Sequence, residues 1–281
     1  MPIDPAVAIG ADLGVTKFEW TSTNVLLYHL ALGASTADLS YVLEDRLKVL
    51  PTFGVVAPNF RMFEPPAVTF PGIEIDLSKV LHGTQSITVH GPLPADGKAE
   101  ARSRIADVWD KGKAAVIVQE STVTTPAGDP LWTTTSSIFA RGEGGFGGSR
   151  GPSGRLPAPE GDPVLEVEVP TLPQQALLYR LCGDRNPLHA DPAFAALAGF
   201  DRPILHGLCT YGVVCKALAD NLLAGDVTKV ATFGTRFAGV QIPGETLRVR
   251  AWQTEAGYQA TATAVDRDDA PVLDETVLTV R

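Results

Sequence analysis

The stretch LLYRLCGDRNPLHADP, Leu177–Pro192, decides how the chain is read. Its first five residues nearly repeat LLYHL at Leu26–Leu30, so that Leu26 pairs with Leu177, Tyr28 with Tyr179 and Leu30 with Leu181. Each copy follows a short segment of alternating polarity, KFEW at Lys17–Trp20 and EVEV at Glu166–Val169. Alternation with period two marks a half-buried strand. Strand followed by helix is therefore written twice, yet only the second copy runs on into an acid, an amide and an imidazole. The first runs on as ALGAST.

The repeat continues downstream. VHGPLPADGKAEARSRIADVW, Val89–Trp109, and FAGVQIPGETLRVRAWQ, Phe237–Gln253, share a Gly, a Pro turn and then an alternating run. Both halves go on in segments rich in β-branched residues, which predict further antiparallel strands. The class is α+β, with one long helix and several strands per half. Between the halves lies RGEGGFGGSRGPSGRLPAPEGDP, Arg141–Pro163, where Gly and Pro exclude regular structure. This predicts a first unit over 1–140, a linker over 141–163 and a second unit over 164–281. Gly142, Gly144 and Gly147 match the dinucleotide spacing, and Gly147–Gly151 matches Gly-x-Ser-x-Gly. Either motif must open a helix, and Pro152, Gly154, Pro157 and Pro159 follow instead, so both are set aside.

A length of 281 residues allows two domains or one large one, and 44% hydrophobic with 20% charged residues is ordinary for a globular chain. A net charge of −9 without a Lys/Arg cluster argues against nucleic-acid binding. The three cysteines, Cys182, Cys209 and Cys215, form no Cys-x-x-Cys pair and read as core residues in a reducing compartment. The N-terminus carries two acids and no basic residue before Lys17, unlike a secretory signal. No apolar run reaches the roughly 20 residues of a membrane span, and the terminal TVR is not a Ser-Lys-Leu address. The expectation is a cytoplasmic protein with no membrane partner.

The chemistry gathers after the second copy. Thr171 and Gln174 have capping-box spacing, predicting a helix to about Cys182 with Gly183 as a left-handed stop. Asp191 caps a further short helix that has Pro192 at its first position and Gly199 past its end. Asp184, Asn186 and His189 are thereby held on a stiff loop. The next apolar run, Leu205–Gly225, predicts a buried helix that opens on His206-Gly207. Its first amides are unsatisfied donors, and Gly207 leaves room for an approaching oxygen. His206 reads as a hydrogen-bonding brace of the loop or as a substrate contact, and His29, His82 and His90 read as structural. Asp184, His189, Asp191 and His206 could supply metal ligands, but there is no His-x-x-x-His pair and Asp191 is committed as a cap, so no metal is expected.

Taken together, YRLCGDRNPLHADPAFA and ILHGL closely resemble the signature of the (R)-specific enoyl-CoA hydratase 2 group, the MaoC-like dehydratases. The resemblance implies a double hot-dog fold, each repeat a long helix wrapped by an antiparallel sheet, with a degenerate first repeat that accommodates the acyl chain. It implies reversible syn addition of water to trans-2-enoyl-CoA, giving (3R)-3-hydroxyacyl-CoA. Asp184 and His189 would form the catalytic dyad, Asn186 would orient water or the dyad, and the Gly207 amide would bind the thioester oxygen. His206, Arg185 and Tyr179 would contact substrate. No cofactor is implied beyond the CoA thioester, which is the substrate, and the chain would be a monomer or homodimer. Arg180, Arg185, Arg202, Lys229 and Arg236 are the cations nearest the motif for the CoA phosphates. Pro51–Phe60 and Phe70–Asp76 are candidate tunnel walls. Other readings are a dehydratase acting on acyl carrier protein, a non-catalytic acyl-CoA-binding protein and a thioesterase.

Overall fold

The structure, a computed structural model, describes residues 3–60, 70–75 and 80–281; Asp76 of the second candidate wall lies outside these. Among the described residues ten strands pair antiparallel in a single sheet. In chain order they are β1 (Asp12–Trp20), β2 (Val80–Val89), β3 (Gly97–Asp110), β4 (Ala114–Thr124), β5 (Pro130–Arg141), β6 (Leu165–Pro170), β7 (Val230–Phe237), β8 (Thr246–Thr254), β9 (Gly257–Ala264) and β10 (Ala270–Val280). The sheet order is β1-β3-β4-β5-β2-β7-β10-β9-β8-β6. Read from either edge inward, the first five strands and the last five follow the same order, so the repeat seen in the sequence is a repeat of topology. The halves meet where β2 pairs with β7.

KFEW lies in β1 and EVEV in β6. On β6, Val167 and Val169 pack on the core while Glu166 and Glu168 face outward to Arg250 and Arg248 of β8, at 2.6 and 2.9 Å. Paired charges on an edge strand discourage further strand addition. The helix after β1, Ser22–Ala31, and the helix after β6, Gln175–Tyr179 with a 3-10 turn Arg180–Cys182, are the two copies of the Leu-Leu-Tyr motif. Gly183 closes the latter at φ 116°, as its position predicts.

The expected Thr171–Gln174 capping box does not form. Thr171 donates its hydroxyl to the Glu245 carbonyl at 2.6 Å, and the Gln175 side chain accepts from the Leu172 amide instead. A tertiary acceptor competes successfully with the local cap and delays the helix.

The helix Gly207–Leu222 is the longest among the described residues and is apolar around most of its circumference, which suits a helix enclosed by a sheet. Tyr211 anchors it by donating to the Phe233 carbonyl at 2.7 Å. Gly212 lets the first-half helix approach, because a Cβ there would lie 2.6 Å from the Tyr28 hydroxyl. The three cysteines are buried and unpaired in the main core.

No helix or strand interrupts residues 142–164. The glycine-rich start of this segment nevertheless has an order of its own. Gly112, Gly145 and Gly147 donate their amides to the buried Asp110 carboxylate at 2.7, 2.9 and 2.7 Å. Gly147, one of the decoy glycines, thus joins Gly112 and Gly145 in an anion nest whose anion belongs to the protein itself.

These amides hold the Asp110 carboxyl below its usual range. A depressed carboxylate contributes stability above its unfolded pKa, near 4, and loses that contribution as pH falls through the folded value. Asp110→Ala is therefore expected to lower the thermal midpoint and speed proteolytic cutting of 142–164 at pH 7. The gap to wild type should narrow below about pH 4, which thermal melts across pH would check.

Candidate active site

Gly183 φ turns the chain out of the helix and into the loop Asp184–His189. Asp184 accepts from the Asn186 amide at 3.1 Å, and Asn186 accepts from the Leu188 amide at 3.0 Å. The two side chains stiffen the loop before the 3-10 turn Pro187–His189. Asp191 caps Pro192–Leu197 through the Ala193 and Phe194 amides, as expected, and so takes no part in the chemistry.

His189 Nδ1 lies 2.9 Å from the Ile204 carbonyl. A carbonyl accepts only, so Nδ1 carries the hydrogen and Nε2 keeps its lone pair. Burial pushes the imidazole below its ordinary value, against the opposing pull of the Ile204 bond and of Asp184. His206 lies under it, with ring centroids 3.8 Å apart, and donates Nε2–H to the Asp184 carbonyl at 3.3 Å. Burial first, and then the neighbouring His189, hold the His206 imidazole well below its ordinary value, which favours its neutral form.

Candidate ligand atoms of Asp184, His189 and His206 fall within 4.8 Å of one another. Imidazole binds a metal in its ring plane at about 2.0–2.1 Å. An ion shared by two rings stacked only 31° from parallel would lie well out of at least one plane, and the geometry favours proton transfer over coordination.

A cavity of about 610 Å³ opens beside Asp184, and His189, His206 and Gly207 are not among the residues that line it. Asp184, Arg185, Asn186 and Tyr179 line it from the second half, and Leu208 lines it from the start of the long helix. Val55, Val56 and Asn59 line it from the first half, which places part of the Pro51–Phe60 segment at the wall. Tyr179 is buried with its hydroxyl unpartnered among the described residues, whereas its repeat counterpart Tyr28 donates to Thr52 at 2.9 Å. Gly207 opens the helix with His206 as cap. Its amide precedes any intrahelical acceptor.

Of the cations named from the sequence, Arg202 is tied to Glu245 at 3.0 Å, and Arg236 is tied to Asp274 and Glu275 at 2.6 and 2.9 Å. Arg180 donates to the Arg185 carbonyl. His29 is structural as expected, between the Tyr41 carbonyl and the Leu50 amide. His82, read from the sequence as structural, also lines a second cleft, where it stacks on Phe237 with ring centroids 4.6 Å apart. Burial holds its imidazole down to about 4, against the pull of its hydrogen bonds to Thr84 and Gln85 and of the Asp184 charge. The signal available was the triplet Leu-His-Gly, which occurs at Leu81–Gly83 as well as at Leu205–Gly207.

With fold and site in hand, the chain can be compared with known proteins. Residues 18–142 match the family described as MFE-2 hydratase 2 N-terminal domain, and residues 155–270 match the MaoC like domain. The chain is 59% identical over 278 residues to "Enoyl-CoA hydratase ChsH3" of Mycobacterium tuberculosis, covering 97% of each protein. The crystal structure of a MaoC-like dehydratase from Phytophthora capsici superposes with a TM-score of 0.91 at 28% identity, covering 99% of this chain and 98% of that one. "Peroxisomal multifunctional enzyme type 2" of mouse is 38% identical over 256 residues, which are 88% of this chain and 34% of that protein. The chain belongs to the MaoC-like dehydratase family of double hot-dog proteins, related to the enoyl-CoA hydratases 2.

One expectation is overturned by these comparisons. Relatives from mouse, Neurospora crassa, Drosophila melanogaster and Saccharomyces cerevisiae carry peroxisomal names, against the cytoplasmic location inferred from the termini and composition. Compartment is written in short receptor-read addresses, and the composition of a fold does not carry it.

A Cβ at Gly183 would overlap the Asn59 carbonyl oxygen of the first half, in a left-handed conformation that side chains resist. Gly183→Ala should cost roughly 1–3 kcal/mol of stability and reduce turnover at least tenfold by displacing Asp184. Gly199, at φ 83° with open space around it, serves as control: Gly199→Ala should keep turnover within twofold. Denaturant titration and initial rates on both variants check this.

Proposed function

We propose that the chain hydrates a trans-2-enoyl thioester of CoA, reversibly, to the 3-hydroxyacyl thioester, with Asp184 and His189 as the catalytic pair. The observation that carries this reading is the fixed tautomer of His189. Nδ1–H is spent on Ile204, leaving the Nε2 lone pair as a proton acceptor near the Asp184 carboxylate, and Asp184 lines a cavity that reaches Leu208 at the start of the long helix.

In the hydration direction a water held by the Asp184 carboxylate gives one proton to His189 Nε2, and its oxygen forms the bond to C3. The C2=C3 electron pair shifts toward the thioester, and negative charge gathers on the carbonyl oxygen. The Gly207 amide, aided by the positive end of the helix, is the donor for that oxygen. The imidazolium then returns its proton to C2. One water has been added across the double bond, and because one residue both takes and returns the proton, both groups enter from the same face. The syn course and the (3R) product belong to this proposal. Asn186 serves by fixing the turn that carries His189.

Asp184→Asn and His189→Gln are each expected to reduce hydration of crotonyl-CoA by 10²-fold or more, followed by loss of enoyl absorbance. The product should be a substrate for a (3R)-specific dehydrogenase and not for a (3S)-specific one. Release of free CoA without a hydroxyacyl product would replace this reading with a thioesterase.

The neutral form of His189 is the working one, and burial lowers its pKa from 6.5. The kcat/KM profile should therefore stay level from pH 8 down through the ordinary imidazole range and fall only at lower pH. A midpoint above 6.5 would contradict the assignment of His189 as base.

A further inference from the structure

The Asp184–His189 loop and the start of the long helix are separate pieces of chain, with the helix Pro192–Leu197 and the turn after it between them. Two histidines tie them together, in opposite directions. His189 of the loop donates Nδ1–H to the Ile204 carbonyl at 2.9 Å, and His206 of the helix start donates Nε2–H to the Asp184 carbonyl at 3.3 Å. Each imidazole bonds the backbone of the other's segment, and the rings stack between the two bonds with centroids 3.8 Å apart. Tyr179 also packs on His206, at 4.9 Å. The Leu205 amide donates to the Gln241 carbonyl at 2.7 Å, which fixes the helix start to the β7–β8 connection. The reciprocal clasp then orients the loop against that fixed point.

A buried side chain kept only to brace a fold has its polar atoms paired. His29 is of that kind, with Nδ1 donating to the Tyr41 carbonyl and Nε2 accepting from the Leu50 amide. His206 is as deeply buried, yet its Nδ1 has no partner among the described residues. Because Nε2 carries the hydrogen, Nδ1 is a lone pair shut away from water, and that lowers stability. A local cost of this kind marks a role other than stability. The repeat points the same way. Thr52-Phe53-Gly54-Val55-Val56 matches Thr210-Tyr211-Gly212-Val213-Val214, which sets Lys48 against His206, and the Leu-Leu-Tyr match sets Gly33 against Asp184 and Asp38 against His189. There Lys48 donates to the Gly225 carbonyl and Asp38 accepts from Lys216, and no such exchange of bonds forms among the described residues. The clasp and the proposed chemistry fall in the same half.

We infer that His206 is a positioning residue, whose bond to the Asp184 carbonyl sets the spacing between the Asp184–His189 pair and the Gly207 amide. Its backbone leads directly into Gly207, and its side chain holds the residue that carries the carboxylate. One residue thus joins the proton-transfer pair to the donor for the thioester oxygen. His206 is not among the residues that line the cavity, and it acts through Asp184 and His189. The sequence offers it as a brace of the loop or as a substrate contact; the clasp makes the brace part of the chemistry, because it spaces two groups that must meet one substrate. The inference rests on the hydratase reading for the reaction that the clasp serves.

The test separates the bond from the ring. Gln carries an amide N–H at the reach of Nε2, and Asn stops one bond short, so His206→Gln keeps the donor to the Asp184 carbonyl and His206→Asn loses it. With crotonyl-CoA, kcat of His206→Asn should fall roughly 10- to 100-fold, the scale of a misplacement of about 1 Å, while KM stays near that of wild type. His206→Gln should recover most of that loss. If thermal melts show that His206→Asn does not fold, His206→Phe, which keeps a ring and has no donor, takes its place under the same expectation. Equal kcat losses with and without the donor overturn the inference, and so does a donor-less variant with wild-type kcat or with a change in KM alone. The carbon-13 shift of the Asp184 carbonyl reads the bond without turnover. It should be alike in wild type and His206→Gln and move in the donor-less variant; a shift that does not move overturns the inference. If wild type hydrates no crotonyl-CoA while the carbonyl shift follows this pattern, the hydratase reading fails and the clasp stands.

Discussion

Everything at the site depends on one short strand pairing, that of β2 with β7. It joins the two halves into one sheet and places Ile87 opposite Phe233, both fully buried. On the outer face Thr88 and Thr232 meet at 3.1 Å, and next to the junction Thr235 and Thr276 meet at 2.7 Å. The halves therefore share a core, and their helices occupy one concavity. Tyr28 approaches Tyr179 with ring centroids 6.2 Å apart. Lys216 of the long helix bonds Asp38 of the first half at 2.6 Å as well as its own Asp220 at 2.9 Å, and Tyr41 donates to Asp220 at 2.7 Å. A half-buried group of this kind fixes relative position more than it adds stability. Where the pairing ends, at Thr84 and Arg236, the sheet opens beside Gly207.

The duplication lets the proposed chemistry sit in one half without making the other idle. Tyr28 and Tyr179 occupy the same place in the repeat. Thr52 takes the hydroxyl of the first, and the hydroxyl of the second is buried without a partner at the cavity wall. The first half also supplies the Asn59 carbonyl packed on Gly183, the apolar wall of Val55 and Val56, and His82. A single repeat would leave the Asp184–His189 loop without its support. The loop is shaped locally by the chain around it and held in place by the other half.

What the sequence made legible follows from how far each constraint reaches along the chain. The strand-helix repeat, the Gly183 stop, the Asp191 cap and the amide-bearing start at Gly207 are local patterns, read within a few residues, and all are present in the structure. Thr171 shows the limit, because its partner is Glu245, far along the chain, and local spacing alone suggested Gln174. The glycines at 145 and 147 read as flexibility because the carboxylate that orders them is at Asp110. His82 gives no sign in the sequence of the cleft it lines, because the Phe237 ring it stacks on lies far along the chain. The Gly183–Asn59 contact joins the two halves and no periodicity announces it.

In the mechanism proposed above, the electrostatics of the stacked histidines govern the proton transfer. Burial lowers the basicity of His189, which by itself would slow removal of a proton from water. The same burial makes the imidazolium, once formed, a stronger acid than one in water, and so readier to give its proton to C2. Asp184 offsets the first effect, because its carboxylate favours the charged ring during the step. His206 keeps the balance from tipping. With Nε2–H bound to the Asp184 carbonyl and its own charged form disfavoured by burial and by His189, it presents a neutral ring to its neighbour. The proposed mechanism then needs only one proton, one acceptor nitrogen and one carboxylate to take a proton from water and return it to carbon on the same face.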